Sequence, residues 1–252
     1  AVSDAAGNAA TANTAESFTY DVTAPSIGIS AIATNGYVNG AERGSSGFTI
    51  TGTSVGAVSQ DVTVVYGGVT DADTITVAGN GEWTVTFCDS GSENCGSIAD
   101  GVITVTAAVN DAAGNSATLA DVQAIQDTVD PTTTITIDSF SADTGSSSSD
   151  WITKTAGGNA IATLSAALVS GETLQSSVDA GSSWVNVAGG EISTLAVTEA
   201  VTLGAGTNAV HFRVTDTAGN SGSVASQAYT LDTTAPSSTS AVLAVSGAGN
   251  GN

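Results

Sequence analysis

Apolar and polar side chains alternate with a period of two along most of this 252-residue chain. In the stretch GVITVTAAVND, Ile103, Val105, Ala107 and Val109 fall on one face, and Thr104 and Thr106 on the other. Such alternation predicts a half-buried β-strand, because successive strand side chains point to opposite faces. Trp83, Val85 and Phe87 repeat the pattern in EWTVTF, as do Val210, Phe212 and Val214 in AVHFRVTD. Shorter runs do the same with Phe48 and Ile50, with Val62, Val64 and Tyr66, with Ile135 and Ile137, and with Tyr229 and Leu231. No segment carries a helical period with caps, and β-branched Val, Thr and Ile dominate. Stretches such as GGVTDAD, AGNGE and DAGSSW separate the runs, which is the composition of turns between short strands.

Two phrases recur along the chain. DAAGN at Asp4 returns at Asp111 and, as DTAGN, at Asp216, with spacings of 107 and 105 residues. DVTAP at Asp21, DTVDP at Asp127 and DTTAP at Asp232 are spaced by 106 and 105. Two landmarks that keep one period indicate tandem copies of a single unit. Residues 1–21 then read as the C-terminal hairpin of a preceding copy, 22–129 and 130–235 as complete copies, and 236–252 as the start of a further one. The chain is read as a window on a longer array; in the other reading, its two end fragments complete a domain between neighbouring molecules.

Many short strands with Gly-rich turns in a copy of this length predict an all-β protein. Its expected architecture is tandem immunoglobulin-like β-sandwich domains joined end to end by short Asp/Pro linkers. DxAGN follows directly on an inward-alternating strand and is placed at the hairpin between the last two strands. The Asp-to-Pro phrase ends another alternating run and is placed at the linker, where Pro25, Pro131 and Pro236 fix φ and remove a donor. Both phrases are expected near the same pole of the sandwich.

Charge narrows the partners. Acidic residues number 24 against three basic ones, Arg43, Lys154 and Arg213, for a net charge of −21. Phosphate backbones and anionic lipid surfaces are repelled by such a chain, so no nucleic-acid partner is expected. No apolar run approaches the roughly 20 residues of a membrane span, so no membrane insertion is expected. Cys88 and Cys95 are the only cysteines and His211 the only histidine, too few for a zinc site. The two thiols form either a local disulfide or a free pair. The disulfide is favoured; closing so short a loop contributes about 2 to 3 kcal/mol.

The phrases YDVTAPSIGISAIATNGYVNGAERGSSGFTITGTSVG, GEWTVTF, IADGVITVTAAVNDAAGNSAT and QDTVDP, in this order, resemble one bacterial Ig-like repeat. The second copy is similar to a sister class through SFSADTGSSSSDWIT, VDAGSSWVNV, GAGTNAVHFRVTDTAGNSG and LDTTAP. Such tandem repeats belong to large secreted surface proteins, the RTX-type and biofilm-associated adhesins. The resemblance implies an Ig-like sandwich, an extracellular, cell-surface location, an array of many copies and calcium at the joints. Where such repeats commonly carry an acidic pair, this chain has Asn35 and Gly36, and the CDSGSENC insertion is also a departure.

The recurring Asp and Asn have two readings. As a tight turn, they accept backbone hydrogen bonds while Gly supplies positive φ. As a cation site, they offer the hard oxygens that Ca2+ takes, about six to eight at a time. Asp111, Asn115 and Asp127 are expected to converge, with Asp130, Asp138, Asp143 or Asp150 approaching from the following copy. Asp4, Asn8 and Asp21, and Asp216, Asn220 and Asp232, are the corresponding candidates in the other copies. From residue 111 to residue 150 there are seven Asp and no Lys or Arg. Two like charges about 4 Å apart repel by about 4 kcal/mol at an effective dielectric near 20, a cost that a cation converts into attraction.

The reading is therefore a non-catalytic, calcium-rigidified extender of a bacterial cell-surface adhesin or extracellular fibre. Its partners are neighbouring repeats of the same chain, with surface or matrix glycans or proteins engaged through other domains. His211 lies between inward Val210 and Phe212, so it points outward and lacks a second histidine for a triad. Trp83 alternates with core residues, whereas Trp151 and Trp184 lie near turns and leave a glycan-binding module as an alternative. A surface-layer or filament-forming subunit is another.

Overall fold

The period-two runs form strands, and in each the apolar half faces inward. The structure, a computed structural model, describes residues 3–9, 18–44, 47–71, 73–88 and 95–237. The further copy expected over 236–252 lies outside the described residues from residue 238 onward, as does the middle of the 88–95 insertion. The chain divides into two units, Ala1–Val129 and Asp130–Asn252.

The first unit contains β1 (Ser26–Ile32), β2 (Tyr37–Val38), β3 (Phe48–Val55), β4 (Asp61–Tyr66), β5 (Val69–Thr70), β6 (Ile75–Thr76), β7 (Glu82–Phe87), β8 (Gly101–Asn110), β9 (Ser116–Thr118) and β10 (Val122–Gln126). One sheet has the order β1-β3-β7 and the other β2-β10-β8-β4-β5, with β6 beside β4 and β9 beside β8. The inward residues of both sheets meet in a core that includes Val38, Ile50, Val64, Tyr66, Val85, Phe87 and Val105. Phe48, Tyr66 and Phe87 pack ring against ring, with centroids 4.9 to 5.9 Å apart. Cys88 and Cys95 are joined as a disulfide and both are buried in this core.

The second unit contains β11 (Ile135–Phe140), β12 (Ile152–Thr153), β13 (Gly157–Leu164), β14 (Thr173–Ser177), β15 (Val185–Asn186), β16 (Ile192–Ser193), β17 (Ala196–Thr202), β18 (Gly206–Thr215) and β19 (Ala225–Leu231). Its sheets run β11-β13-β17-β16 and β12-β19-β18-β14-β15, the same plan as the first unit. Even the irregularities match: β1 shifts register between Ile29 and Ala31, and β11 between Ile137 and Ser139. Trp151 is buried and stacks on Phe140 with centroids 6.2 Å apart.

Both units leave room for a large ring with a strand glycine. Gly52 lies opposite Trp83, and a Cβ there would meet the ring and the Gly28 carbonyl, each at 2.1 Å. In the second unit Gly158 does the same at another position of its strand, where a Cβ would meet the Phe140 ring at 2.6 Å. Because the Gly28 carbonyl is backbone, Gly52→Ala cannot be relieved by a rotamer change. We expect it to destabilise the first unit by about 3 kcal/mol, near the upper end for overpacking. Scanning calorimetry of the whole chain should show its first-unit transition lowered and its second-unit transition unmoved.

Candidate functional site

The three DxAGN loops fold as the same closed ring. In the first, Asp4 Oδ1 accepts from the amides of Ala6 and Asn8, both at 2.9 Å, while Oδ2 accepts from the Asn8 side-chain amide at 2.9 Å. In the second, Asp111 Oδ1 accepts from Ala113 N at 2.9 Å and Asn115 N at 2.8 Å, and Oδ2 from Asn115 Nδ2 at 2.8 Å. In the third, Asp216 Oδ1 accepts from Gly219 N at 2.8 Å and Asn220 N at 2.9 Å, and Oδ2 from Asn220 Nδ2 at 2.8 Å. The Asp amide donates back to the Asn carbonyl in each, at 3.0, 2.9 and 3.1 Å. Gly7, Gly114 and Gly219 take φ of 85°, 91° and 96°, which closes the ring. The spacing of four residues therefore lets Asn bridge both carboxylate oxygens and the Asp backbone. Hydrogen bonds from the Asn partner hold the Asp4 and Asp111 carboxyls below the ordinary carboxylate range.

The loop also grips the segment that leads into its own unit. Asn115 Nδ2 donates to the backbone carbonyl of Asp21 at 3.2 Å. In the second unit, Gly222, just beyond the third loop, lies so close to Pro131 that a Cβ would stand 2.6 Å from its carbonyl oxygen. Each complete unit thus has a leading pole, where the incoming chain and the DxAGN loop meet.

The aspartate on the outgoing segment of each unit, Asp127 in the first and Asp232 in the second, occupies the other end. Asp21, Asp127 and Asp232 each turn Oδ1 back onto the amide two residues ahead, at 2.9, 3.1 and 2.8 Å. Asp127 N donates to Val38 O at 3.0 Å and Asp232 N to Thr153 O at 2.9 Å, which ties the outgoing chain to β2 and β12. The expected convergence of Asp111, Asn115 and Asp127 is therefore corrected. β10 pairs antiparallel with β8, matching Gln126 to Gly101, so Asp127 lies beside one end of β8 while Asp111 follows the other. Ten residues at about 3.3 Å each separate these ends by about 30 Å. β19 returns beside β18 in the same way, with Leu231 opposite Gly206, and separates Asp232 from Asp216 and Asn220. The structure brings Asp21, not Asp127, to Asn115.

The four remaining candidates do not gather either. Asp130 is exposed, Asp138 Oδ2 accepts from Thr163 Oγ1 at 2.8 Å, and Asp150 Oδ1 accepts from Ile152 N at 3.1 Å. Asp143 differs. Its Oδ2 accepts from Trp151 N at 3.0 Å, while its Oδ1 is buried with no hydrogen-bond partner. Beside its loop, Thr144, Gly145, Ile152, Thr153, Lys154 and Asp232 line a cleft of about 440 Å³. Among the described residues, no group of three or more His, Cys, Asp and Glu is placed to hold a metal ion.

The fit to calcium thus differs between sites. In the DxAGN rings both carboxylate oxygens already accept from local donors, which leaves less lone-pair capacity for a cation than a donor-free oxygen has. Asp143 Oδ1, buried without a donor, keeps that capacity whole. His211 stands beside Trp184, with ring centroids 6.3 Å apart, and the Arg213 guanidinium covers a face of that indole 4.1 Å from its centroid. The indole of Trp184 is therefore not a bare sugar platform, and Trp83 and Trp151 are buried. No helix among the described residues is long and apolar enough to cross a membrane.

No protein-family model matches the chain, and no curated protein does. Among solved structures, it is similar to a tetra-tandem repeat in the extending region of a large adhesion protein, at 17% identity and a TM-score of 0.32. That match covers 84% of this chain and 50% of the other, so the chain spans half the length of that structure. A 1.5-MDa bacterial ice-binding adhesin, solved for host cell surface retention, matches at 20% identity and a TM-score of 0.41, covering 90% and 71%. Fibronectin(III)-like modules of Clostridium thermocellum CbhA match at 11% identity and a TM-score of 0.43, covering 81% and 93%.

Asp111 gives the ring a pH signature. Its carboxyl is depressed below 3.8 in the fold, so its contribution is present above that value and is lost as pH falls through the lower folded value. Asp111→Ala should lower the melting temperature of the first unit by a few degrees at neutral pH. The gap from the parent should close on acidification, which thermal melts across the acid range would read.

Proposed function

We propose that this chain is a non-catalytic extender segment of an extracellular bacterial surface adhesin or fibre. One observation carries the reading: each complete unit receives the chain at one pole and releases it at the other. A copy built this way adds its own length to an array, as a spacer requires. The closed DxAGN ring fixes the incoming segment, and the outgoing Asp is tied to β2 or β12, so both ends of each sandwich are held. The acidic surface agrees with a solvated module that keeps clear of other polyanions.

Head-to-tail concatemers of the full chain test this. Small-angle scattering should show the maximum dimension growing in proportion to copy number. Growth as the cube root of mass, the behaviour of a globule, would remove the spacer reading.

Calcium belongs to this proposal at one place. Asp143, with Thr144 and Asp232 beside the cleft, would hold the ion, which would supply the charge that the buried carboxylate oxygen lacks. Extracellular modules bind calcium at about 0.1 to 1 mM. At ten times the dissociation constant, binding adds about 1.4 kcal/mol to the unit that holds the ion. We expect calcium to raise the second-unit melting transition and Asp143→Ala to abolish that rise, while Asp111→Ala leaves it intact. A calcium effect that survives Asp143→Ala would move the site elsewhere.

A further inference from the structure

The second sandwich carries a carboxylic acid where its alternation calls for an apolar side chain. In β17, AVTEAVT, Val197, Glu199 and Val201 all face inward. Glu199 is 7% exposed, and its Oε1 accepts from Ser176 Oγ at 2.8 Å. Ser176 belongs to β14, in the other sheet, and is 5% exposed. This bond therefore spans the interior of the sandwich.

A second carboxyl closes over the first. Glu191 ends the 3₁₀ turn Gly189–Glu191, where its Oε2 accepts from Ala188 N at 3.2 Å and its Oε1 from Ala200 N at 3.5 Å. That places it against the residue after Glu199, so the two carboxyls lie side by side on one flank. Two ionised carboxylates at such close quarters repel and have no proton to donate, so a hydrogen bond between them requires one to stay protonated. No cation of the unit substitutes for that proton. Arg213 is turned to Gln175 and Trp184, and Lys154 lines the cleft beside Asp232. Beside Glu199 in its own sheet β13 offers Ala160, and from the other sheet β14 offers Ser176. His211, opposite Ser177, sits against Trp184, while Asp179 is occupied by Ser177 and Ser183. Beside the pair, Ser176, Ser183, Val185, Glu199 and Thr202 line a cavity of about 230 Å³, which gives an ionised Glu199 a route to water.

We propose that Glu191 and Glu199 share one proton as a clasp between the two sheets of the second unit, and that loss of this proton loosens the β14–β17 flank. Burial, with Glu191 adding to it, pushes the Glu199 carboxyl up to about 7, while the bond to Glu199 holds Glu191 below its ordinary value. A raised acid binds its proton in the folded state over a range where the unfolded chain has lost it. The clasp is therefore complete below 4.5 and is lost as pH rises through about 7.

Scanning calorimetry of the whole chain between about pH 5 and about pH 8 reads this directly. The second-unit transition should fall by about 4 to 8 °C, and the first-unit transition should stay level. Glu199→Gln, which keeps the shape and donates to Glu191 without titrating, should flatten the second-unit profile. A level profile in the parent, or the same fall in Glu199→Gln, overturns the clasp. Carbon NMR of the side-chain carboxyls is decisive even if the variant folds poorly. A Glu199 midpoint near 7 supports the shared proton, and one near 4.5 sinks it.

Discussion

In both units the last strand runs antiparallel beside the long strand before it, and this ladder carries the chain back across the whole sandwich from the DxAGN loop. Gln126 ends opposite Gly101, and Leu231 opposite Gly206. Everything about the poles follows from that pairing. The incoming segment stays with the loop, the outgoing Asp is delivered to the opposite end, and short parallel bridges to β2 and β12 keep it there. Such bridges form between strands far apart in sequence, so they lock the exit only after the sandwich has assembled.

The aspartates of this chain meet two competing demands. Backbone amides in a tight turn need acceptors, and a hard cation needs the same oxygens. In the DxAGN rings the amides and the Asn side chain have already taken both carboxylate oxygens, with geometry repeated to within 0.1 Å at the side-chain bridge. Asp143 resolves the competition differently, because only one of its oxygens reaches an amide and the other is sealed from water. Acidic content and cation chemistry are thus separate properties, and most carboxylates here serve local backbone.

The two units share a fold and differ in what fills it. The first closes its interior with the Phe48, Tyr66 and Phe87 rings and a disulfide. The second places Glu199 and Ser176 across the gap between its sheets. A buried acid adds nothing that an aliphatic side chain would not exceed in packing, but it makes the flank responsive to proton concentration. Equivalent strands can therefore be passive in one copy and conditional in the next.

Much of this was legible in the residues alone. Alternation marked Ile103 to Val109 and Val210 to Val214 as half-buried strands, since which face a side chain takes is a local property of an extended backbone. The paired spacings marked a repeat, and Asp, Gly and Asn within five residues marked a turn that caps itself, because those bonds close within one loop. The same alternation placed Glu199 among core residues, a signal that needed only to be weighed. Only the tertiary structure decided which end of a sandwich each phrase occupies, that Asn115 meets Asp21 rather than Asp127, and that Glu191 covers Glu199. Strand pairing is settled by hydrogen bonds between segments distant in sequence, and a period of two records a residue's face without recording the end of the sheet to which the chain returns.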